Sequence, residues 1–292
     1  ARPSQLEEHL RRHVGILNNA RAVLLVTVPA ARTVARLLQE QVESLGGVVT
    51  TDDLDTRQPL QPVPLNGDDI AFLQYTSGST GAPKGVVLTH ANLLANIRAM
   101  GAAIEVRDDD VFVSWLPLYH DMGLIGAWFG SLYYAMPLVL MSPLAFLARP
   151  ARWLWTIHQH RATLSAAPNF AFELCLNKVV DADIEDLDLS SWRFAFNGAE
   201  PVSPTTVRRF CERFGSYGFR ASAMAPVYGL AESAVGLAFP PPDRGALIDR
   251  VRRDSLLGSG DAQSADEADP DALEFVACGQ PLPGYQIRIV AD

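Results

Sequence analysis

Apolar and polar positions along this chain alternate between two rhythms. Gln5 to Leu17 spaces its apolar residues three and four apart, as a surface helix does, and Ala31 to Leu45 repeats the pattern until Gly46-Gly47 ends it. Between them, Ala22 to Val28 (AVLLVTV) is a continuous apolar run of strand length, suited to a buried parallel strand, and Val48-Val49-Thr50 is a second strand. Together they predict a β-α-β unit. Thr51 to Asp69, with Pro59, Pro62, Pro64 and several Asp, predicts a connecting loop.

The alternation continues. Strands are expected at Ile70–Leu73, Val86–Thr89, Val111–Trp115, Leu138–Met141, Ala162–Ala166, Phe194–Phe196 and Val235–Phe239. Helices are expected at His90–Ile104, Asp121–Ala135, Ala151–Arg161, Asn169–Val180 and up to Phe214, the last opened by Ser203 as N-cap and Pro204 in the first turn. Pro240 to Ala272 breaks the rhythm. Seven acids and no base lie between Asp254 and Glu274, and Gly258 to Asp271 is rich in Ser, Gly, Ala and Asp, which predicts a mobile solvated loop. Glu274–Ala277 and Tyr285–Val290 read as closing strands. The fold class is therefore α/β, with layered, parallel-rich β-sheets flanked by helices. Three blocks are expected: 1–66, a first α/β sub-block; 67–239, the core sub-block; and 240–292, the acidic loop and closing strands.

Met122 to Ala148 holds no charged residue and is long enough to span a bilayer. Gly123, Gly126, Gly130, Pro137 and Pro143 interrupt it, so it reads instead as a buried helix followed by a buried strand, with no membrane span. With 292 residues and 48 % apolar content the chain can bury a large core. A net charge of −9 without a basic cluster argues against nucleic acid as a partner. Cys175, Cys211 and Cys278 are far apart and odd in number, so neither a disulfide framework nor a paired-cysteine metal site is expected. With no export signal in Ala1 to Leu10, a reducing, cytoplasmic setting follows.

The chemistry concentrates in four stretches. Tyr75 to Gly85 reads YTSGSTGAPKG: hydroxyls Thr76, Ser77, Ser79 and Thr80 alternate with Gly78 and Gly81, and Lys84 follows. Glycines let backbone N–H groups converge on phosphate oxygens, hydroxyls add donors, and the lysine offsets charge. The composition also suits a flexible linker, but a strand follows at once. It is neither a Walker A loop nor a dinucleotide fingerprint. Trp115 to Leu124 reads WLPLYHDMGL and places His120 where a strand ends and a helix begins, the usual edge of a ligand crevice; a core histidine satisfied by Asp121 is the other reading. Tyr228 to Ser233 reads YGLAES, an aromatic beside Gly229 that can stack on a flat base, followed by the lone carboxylate Glu232. An acid in that apolar run must be paired, exposed or bound to a cation. Asn197 to Pro201 (NGAEP) is a second sharp strand-to-helix turn. No hydrolase elbow or metalloprotease motif is present.

In this order, YTSGSTGAPKG, WLPLYHDMGL, NGAEP and YGLAES resemble the adenylate-forming superfamily of acyl-CoA synthetases, peptide-synthetase adenylation domains and luciferases. LPLYHDMGL, Ser142 to Leu147 and the late CGQPLPG are most similar to the fatty acyl-AMP ligase branch. The resemblance implies part of a large N-terminal domain. It implies activation of a medium- or long-chain fatty acid by ATP and Mg²⁺ to an acyl-adenylate, with release of pyrophosphate. Transfer to the phosphopantetheine thiol of an acyl carrier protein would follow, in lipid, polyketide or lipopeptide synthesis. It also implies residue roles. Thr76, Ser77, Gly78, Ser79, Thr80, Gly81 and Lys84 would hold the phosphates. Tyr228, with Gly229, would stack on adenine, and Gly198, Ala199 and Glu200 would line the base pocket. Glu232 would bind Mg²⁺, and His120 would stand between the acyl carboxylate and the α-phosphate. Phe170 and Met224 would line the acyl tunnel. The family's ribose-binding aspartate, its hinge, its small C-terminal domain with the adenylation lysine, and the insertion that marks acyl-AMP ligases do not lie in this chain. The chain alone is therefore expected to be a poor catalyst. The competing expectations are an acyl-CoA ligase, an amino-acid adenylation domain and an inactive nucleotide-binding scaffold.

Overall fold

The computed structural model describes residues 3–54, 59, 61–76 and 83–290. They fall into two compact units, Ala1–Ala91 and Asn92–Asp292.

The first unit opens with helix α1 (Pro3–Asn19). Strand β1 (Leu24–Thr27), helix α2 (Arg32–Gln39) and strand β2 (Gly47–Thr50) form the expected β-α-β unit, with β1 and β2 parallel. Helix α2 buries Ala35 and Leu38, but Leu24 and Val26 of β1 remain about half exposed. The continuous apolar run thus marks a strand without marking burial: among the described residues this sheet has two strands. Strands β3 (Ile70–Thr76) and β4 (Lys84–Thr89) pair antiparallel, with Thr76 opposite Lys84. The Tyr75 hydroxyl donates to Asn19 Oδ1 at 2.5 Å, which ties this hairpin to α1. The hairpin belongs to the first unit, and the division falls at 91/92, where the sequence suggested 66/67.

Helix α3 (His90–Ile104) leads into the second unit. Its centre is a five-stranded parallel sheet of β5 (Phe112–Ser114), β6 (Leu138–Leu140), β7 (Leu164–Ala167), β8 (Phe194–Asn197) and β9 (Met224–Pro226), in the order β6-β5-β7-β8-β9. Helices cover both faces. A π-helix (Met122–Phe129) running into α4 (Gly130–Tyr133) connects β5 to β6. The other connections use α5 (Pro143–Ala148), α6 (Ala151–Gln159), α7 (Asn169–Lys178) and α8 (Pro204–Gly215). Ser203 caps α8 as expected, its Oγ accepting the Thr206 N–H.

The two sheet faces differ in chemistry. Strand side chains alternate, so the paired row Val113, Ser165 and Ala195 faces one way and the row Phe112, Leu164 and Phe194 the other. On the first face Trp153 sits at the centre of an aromatic core with Trp115, Phe146, Phe172 and Trp192. Its indole N–H donates to Ser165 Oγ at 2.9 Å, and that hydroxyl donates to Val113 O at 2.6 Å. The buried ring therefore leaves no unpaired donor. The second face is covered less tightly, and the cavity described below lies there.

The rim of the sheet is pinned by a buried ion pair. Arg193, before β8, grips Asp110, before β5, through two hydrogen bonds of 2.8 and 2.6 Å, and donates to the Ile104 and Glu105 carbonyls at the end of α3. Thr163, before β7, donates to the same carboxylate at 2.7 Å. Three strand starts and one helix end are held by one network.

Beyond β9 come β10 (Tyr228–Leu230) and β11 (Val235–Phe239), antiparallel to each other. The stretch 240–272 is not simply a loop: β12 (Leu247–Val251) and α9 (Arg253–Ser259) lie within it, and β12 pairs with β13 (Leu273–Ala277). Two acids of the run, Asp254 and Glu274, pair with arginines that lie just outside it, and a further arginine is held by its backbone carbonyls. Arg208 forks onto Glu274 with two bonds of 2.7 Å, Arg252 pairs with Asp254, and Arg250 donates to the Glu267 and Asp269 carbonyls. Strand β14 (Gln280–Pro281) joins β11, so 240–292 is woven into the second unit. Tyr285–Val290 is not a strand. No neighbour pairs with it among the described residues, and Ile289 is fully exposed. No helix among the described residues is long and apolar enough to cross a membrane.

Candidate active site

The sheet order reverses at β5: the chain passes from β5 to β6 on one side, then returns to β7 on the other. Such a switch point leaves a crevice at the carboxyl ends of the strands. The turn after β5 carries His120 and the turn after β8 carries NGAEP, so both motifs lie on that edge.

A cavity of about 270 Å³ opens there. At its mouth stand His120, Asp121, Ala199, Tyr228 and Gly229. Its walls are apolar: Ile97, Met100 and Ile104 of α3; Met122, Gly126, Gly130 and Tyr134 along the π-helix and α4; and Phe112, Leu164, Ala166 and Phe196 of the sheet. Asp121 is the one acid in the lining among the described residues. The cavity uses the second sheet face. Met224 pairs with Ala195 and so belongs to the opposite face, and Phe170 leans on Trp115. Neither lines the cavity that the sequence led us to expect them in.

His120 is half exposed, so it is not a core histidine, yet it does carry the expected partner: its Nδ1 lies 2.8 Å from Asp121 Oδ1. The same carboxylate accepts the Met122 N–H at 2.7 Å, at the start of the π-helix. The hydrogen bond to Asp121 raises the His120 pKa above its ordinary value, against partial burial, which lowers it.

The NGAEP turn is tightly built. Asn197 is fully buried, and its carbonyl accepts the Val227 N–H at 2.9 Å. A Cβ on Gly198 would come within 2.8 Å of Val227 O, so the close approach of the two segments requires glycine. Ala199 takes a left-handed conformation at φ 67°, a strained geometry for a residue with a Cβ. Glu200 does not line the cavity: its carboxylate accepts the Phe170 N–H at 2.6 Å in the first turn of α7. Asn169 Oδ1 accepts the Ser203 N–H, so α7 and the turn are latched from both ends.

Tyr228 is half exposed at the cavity mouth, as a stacking ring needs to be. The need for Gly229 has a cause that the sequence did not reveal. A Cβ there would lie 1.6 Å from Val235 O, so glycine is required by the β10–β11 pairing itself. Glu232 stands exposed on the turn Ala231–Ser233, which ends with Ala234 at φ 68°. It makes no ion pair among the described residues, where no three metal-ligating side chains cluster either. One exposed carboxylate is what Mg²⁺ commonly takes from a protein, alongside the phosphate oxygens of a nucleotide.

In the first unit, Thr76 and an exposed Lys84 face each other across the hairpin, flanking the Gly/Ser stretch. Ser77, Gly78, Ser79, Thr80 and Gly81 lie outside the described residues. The cavity walls themselves escaped sequence reading. The usable signal was Gly126 and Gly130, four apart in an apolar helix.

Comparison with known proteins agrees with this geometry. The family model for AMP-binding enzymes matches residues 7–292. A medium-chain-fatty-acid–acyl-carrier-protein ligase of Moorena producens is 36 % identical over 99 % of this chain and 50 % of its own length. One of Teredinibacter turnerae is 43 % identical over 76 % of this chain and 34 % of its own. Among solved structures, a fatty acyl-adenylate ligase from L. pneumophila in complex with acyl adenylate and pyrophosphate superposes with a TM-score of 0.84 at 33 % identity, covering 93 % of this chain and 47 % of that one. The chain thus spans about a third to a half of the length of these relatives. The fold, the order of its motifs and the family match agree: this chain belongs to the AMP-binding enzyme family and has the α/β fold of its fatty acyl-adenylate ligases.

Proposed function

We propose that the protein activates a medium- or long-chain fatty acid as its acyl-adenylate, for transfer to the thiol of an acyl carrier protein. The observation that carries this reading is the apolar cavity with His120 and Tyr228 at its mouth. A fatty tail suits such walls, and the polar groups at the opening suit a carboxylate and a nucleotide.

In the reaction, a carboxylate oxygen attacks the α-phosphorus of ATP, and the bond from that phosphorus to the pyrophosphate oxygen breaks. A carboxylate is already a nucleophile, so no general base is needed, and the protein's task is positioning and charge stabilisation. Tyr228 offers its exposed ring to adenine, and the Gly198–Ala199 turn offers backbone groups to the base edge. His120, kept protonated to higher pH by Asp121, neutralises charge between the acyl carboxylate and the α-phosphate. Thr76 and Lys84, with the hydroxyls between them, hold the phosphates. Glu232 would hold Mg²⁺ together with the nucleotide, and the ion would supply charge neutralisation for the departing pyrophosphate. Glu200 acts by bracing the NGAEP turn against α7.

The cavity supports a fatty acid over an amino acid. Among the described residues its single acid is Asp121, already engaged by His120 and the Met122 N–H, and no other carboxylate there is placed for an α-amine. Use of ATP and three free cysteines fit a cytoplasmic setting. The test is fatty-acid-dependent exchange of labelled pyrophosphate into ATP by the full-length protein. Exchange that falls at least about a hundredfold in His120→Ala and Lys84→Ala supports the reading, in line with the loss of a charge-stabilising group. Exchange driven by amino acids and not by fatty acids contradicts it. Offering coenzyme A and carrier protein side by side then identifies the acceptor.

A further inference from the structure

The cavity has a direction. Helix α3 runs into the start of β5, so Ile104 and Val106 lie at the amino-terminal edge of the sheet, beside Phe112 and Leu164 at the strand starts. The π-helix begins next to His120 at the opposite edge and runs into α4, which ends at Tyr133, shortly before Met136 and β6. The cavity-lining residues of this segment, Met122 and Gly126 of the π-helix, Gly130 of α4 and Tyr134 at its end, are spaced by four and form one stripe from mouth to floor.

The stripe changes size along its length. A Cβ on Gly126 would meet nothing within 4 Å, and one on Gly130 only Ile125 O at 3.6 Å. The two glycines therefore hold the upper cavity open without being needed for packing. Lower down the opposite holds. A Cβ on Gly101 of α3 would come within 2.1 Å of the Tyr134 hydroxyl oxygen and 2.3 Å of its ring. The hydroxyl end of Tyr134 thus abuts the α3 backbone at Gly101, where glycine is the residue type that admits it, and both residues line the cavity.

We infer that this stripe is the ruler for acyl length: Gly126 and Gly130 give the tail its entrance, and Tyr134 seated over Gly101 is the constriction that limits its depth. The inference rests on the fatty-acyl reading of the cavity. It is tested by calorimetric binding of straight-chain acyl-sulfamoyl adenosines of rising length to the wild type, Gly126→Leu, Gly126→Ala, Tyr134→Ala and Tyr134→Phe. In the wild type, affinity should rise roughly fourfold per methylene and then stop rising at a definite length. That break should move to shorter chains in Gly126→Leu, less so in Gly126→Ala, move to longer chains in Tyr134→Ala, and stay put in Tyr134→Phe. A break that stays at the wild-type length in both Gly126→Leu and Tyr134→Ala overturns the ruler while leaving the fatty-acyl reading intact. Movement in Gly126→Leu alone overturns Tyr134 as the constriction. A wild type indifferent to length, or one that binds no member of the series, overturns the fatty-acyl reading and the ruler with it.

Discussion

His120 and Asp121 act as one unit. Their 2.8 Å contact raises the histidine's pKa, so the charged pair is complete below the ordinary histidine value of about 6.5 and is lost as pH rises through the higher folded value. Asp121→Asn should lower the His120 pKa, read by NMR titration of the ring protons; an unchanged titration would contradict the pairing. Asp110 is the opposite case. Burial pushes its carboxyl up, but hydrogen bonds from Arg193, Thr163 and the Arg107 N–H outweigh burial, and the pKa ends below the ordinary value. Its stabilising contribution is present above about pH 3.9 and is lost as pH falls through the lower folded value. Arg193→Met leaves that carboxylate buried and unpaired, and urea unfolding should show a loss of about 3–5 kcal/mol. The His120–Asp121 pairing was legible in sequence because the partners are adjacent. The contacts of Glu200 with Phe170 and of Arg193 with Asp110 were not, because they join residues far apart in the chain.

Helix α3 and strand β11 have the bounds that their apolar periodicity predicts, and the Ser203-Pro204 start of α8 follows from capping chemistry alone. Periodicity failed where a strand's fate depends on its neighbours. Ala22–Val28 gave a strand whose side chains stay half exposed, and Tyr285–Val290 has no pairing partner among the described residues. It also failed at 240–272, since the arginines that pair with Asp254 and Glu274, namely Arg208, Arg250 and Arg252, lie outside the acidic run. Gly229 belongs with these cases. Its neighbour Tyr228 suggested room for a base, whereas the pairing of β10 with β11 is what excludes a side chain. Gly229→Ala should therefore destabilise the protein itself, by about 2–4 kcal/mol in thermal or urea unfolding. A variant of full stability that loses only nucleotide binding would contradict this explanation.

The molecule divides into a small unit bearing Thr76 and Lys84 and a larger one bearing the cavity, His120, Tyr228 and Glu232. Family membership was readable from four short motifs in fixed order, since each packs several residues of one chemistry into adjacent positions. The cavity was not readable, because α3, the π-helix, α4 and five strands (β5, β7, β8, β10 and β11) each contribute only a few residues to it. Nothing in any single stretch reveals which sheet face is left open. The most direct measurement compares, by calorimetry, the affinity of a long-chain acyl-sulfamoyl adenosine with that of sulfamoyl adenosine lacking the acyl tail, for the wild type and for Tyr228→Ala. Much tighter binding of the acylated compound, with both compounds weakened by Tyr228→Ala, is the predicted result. Equal affinity for the two compounds would contradict the assignment of the cavity to a fatty tail.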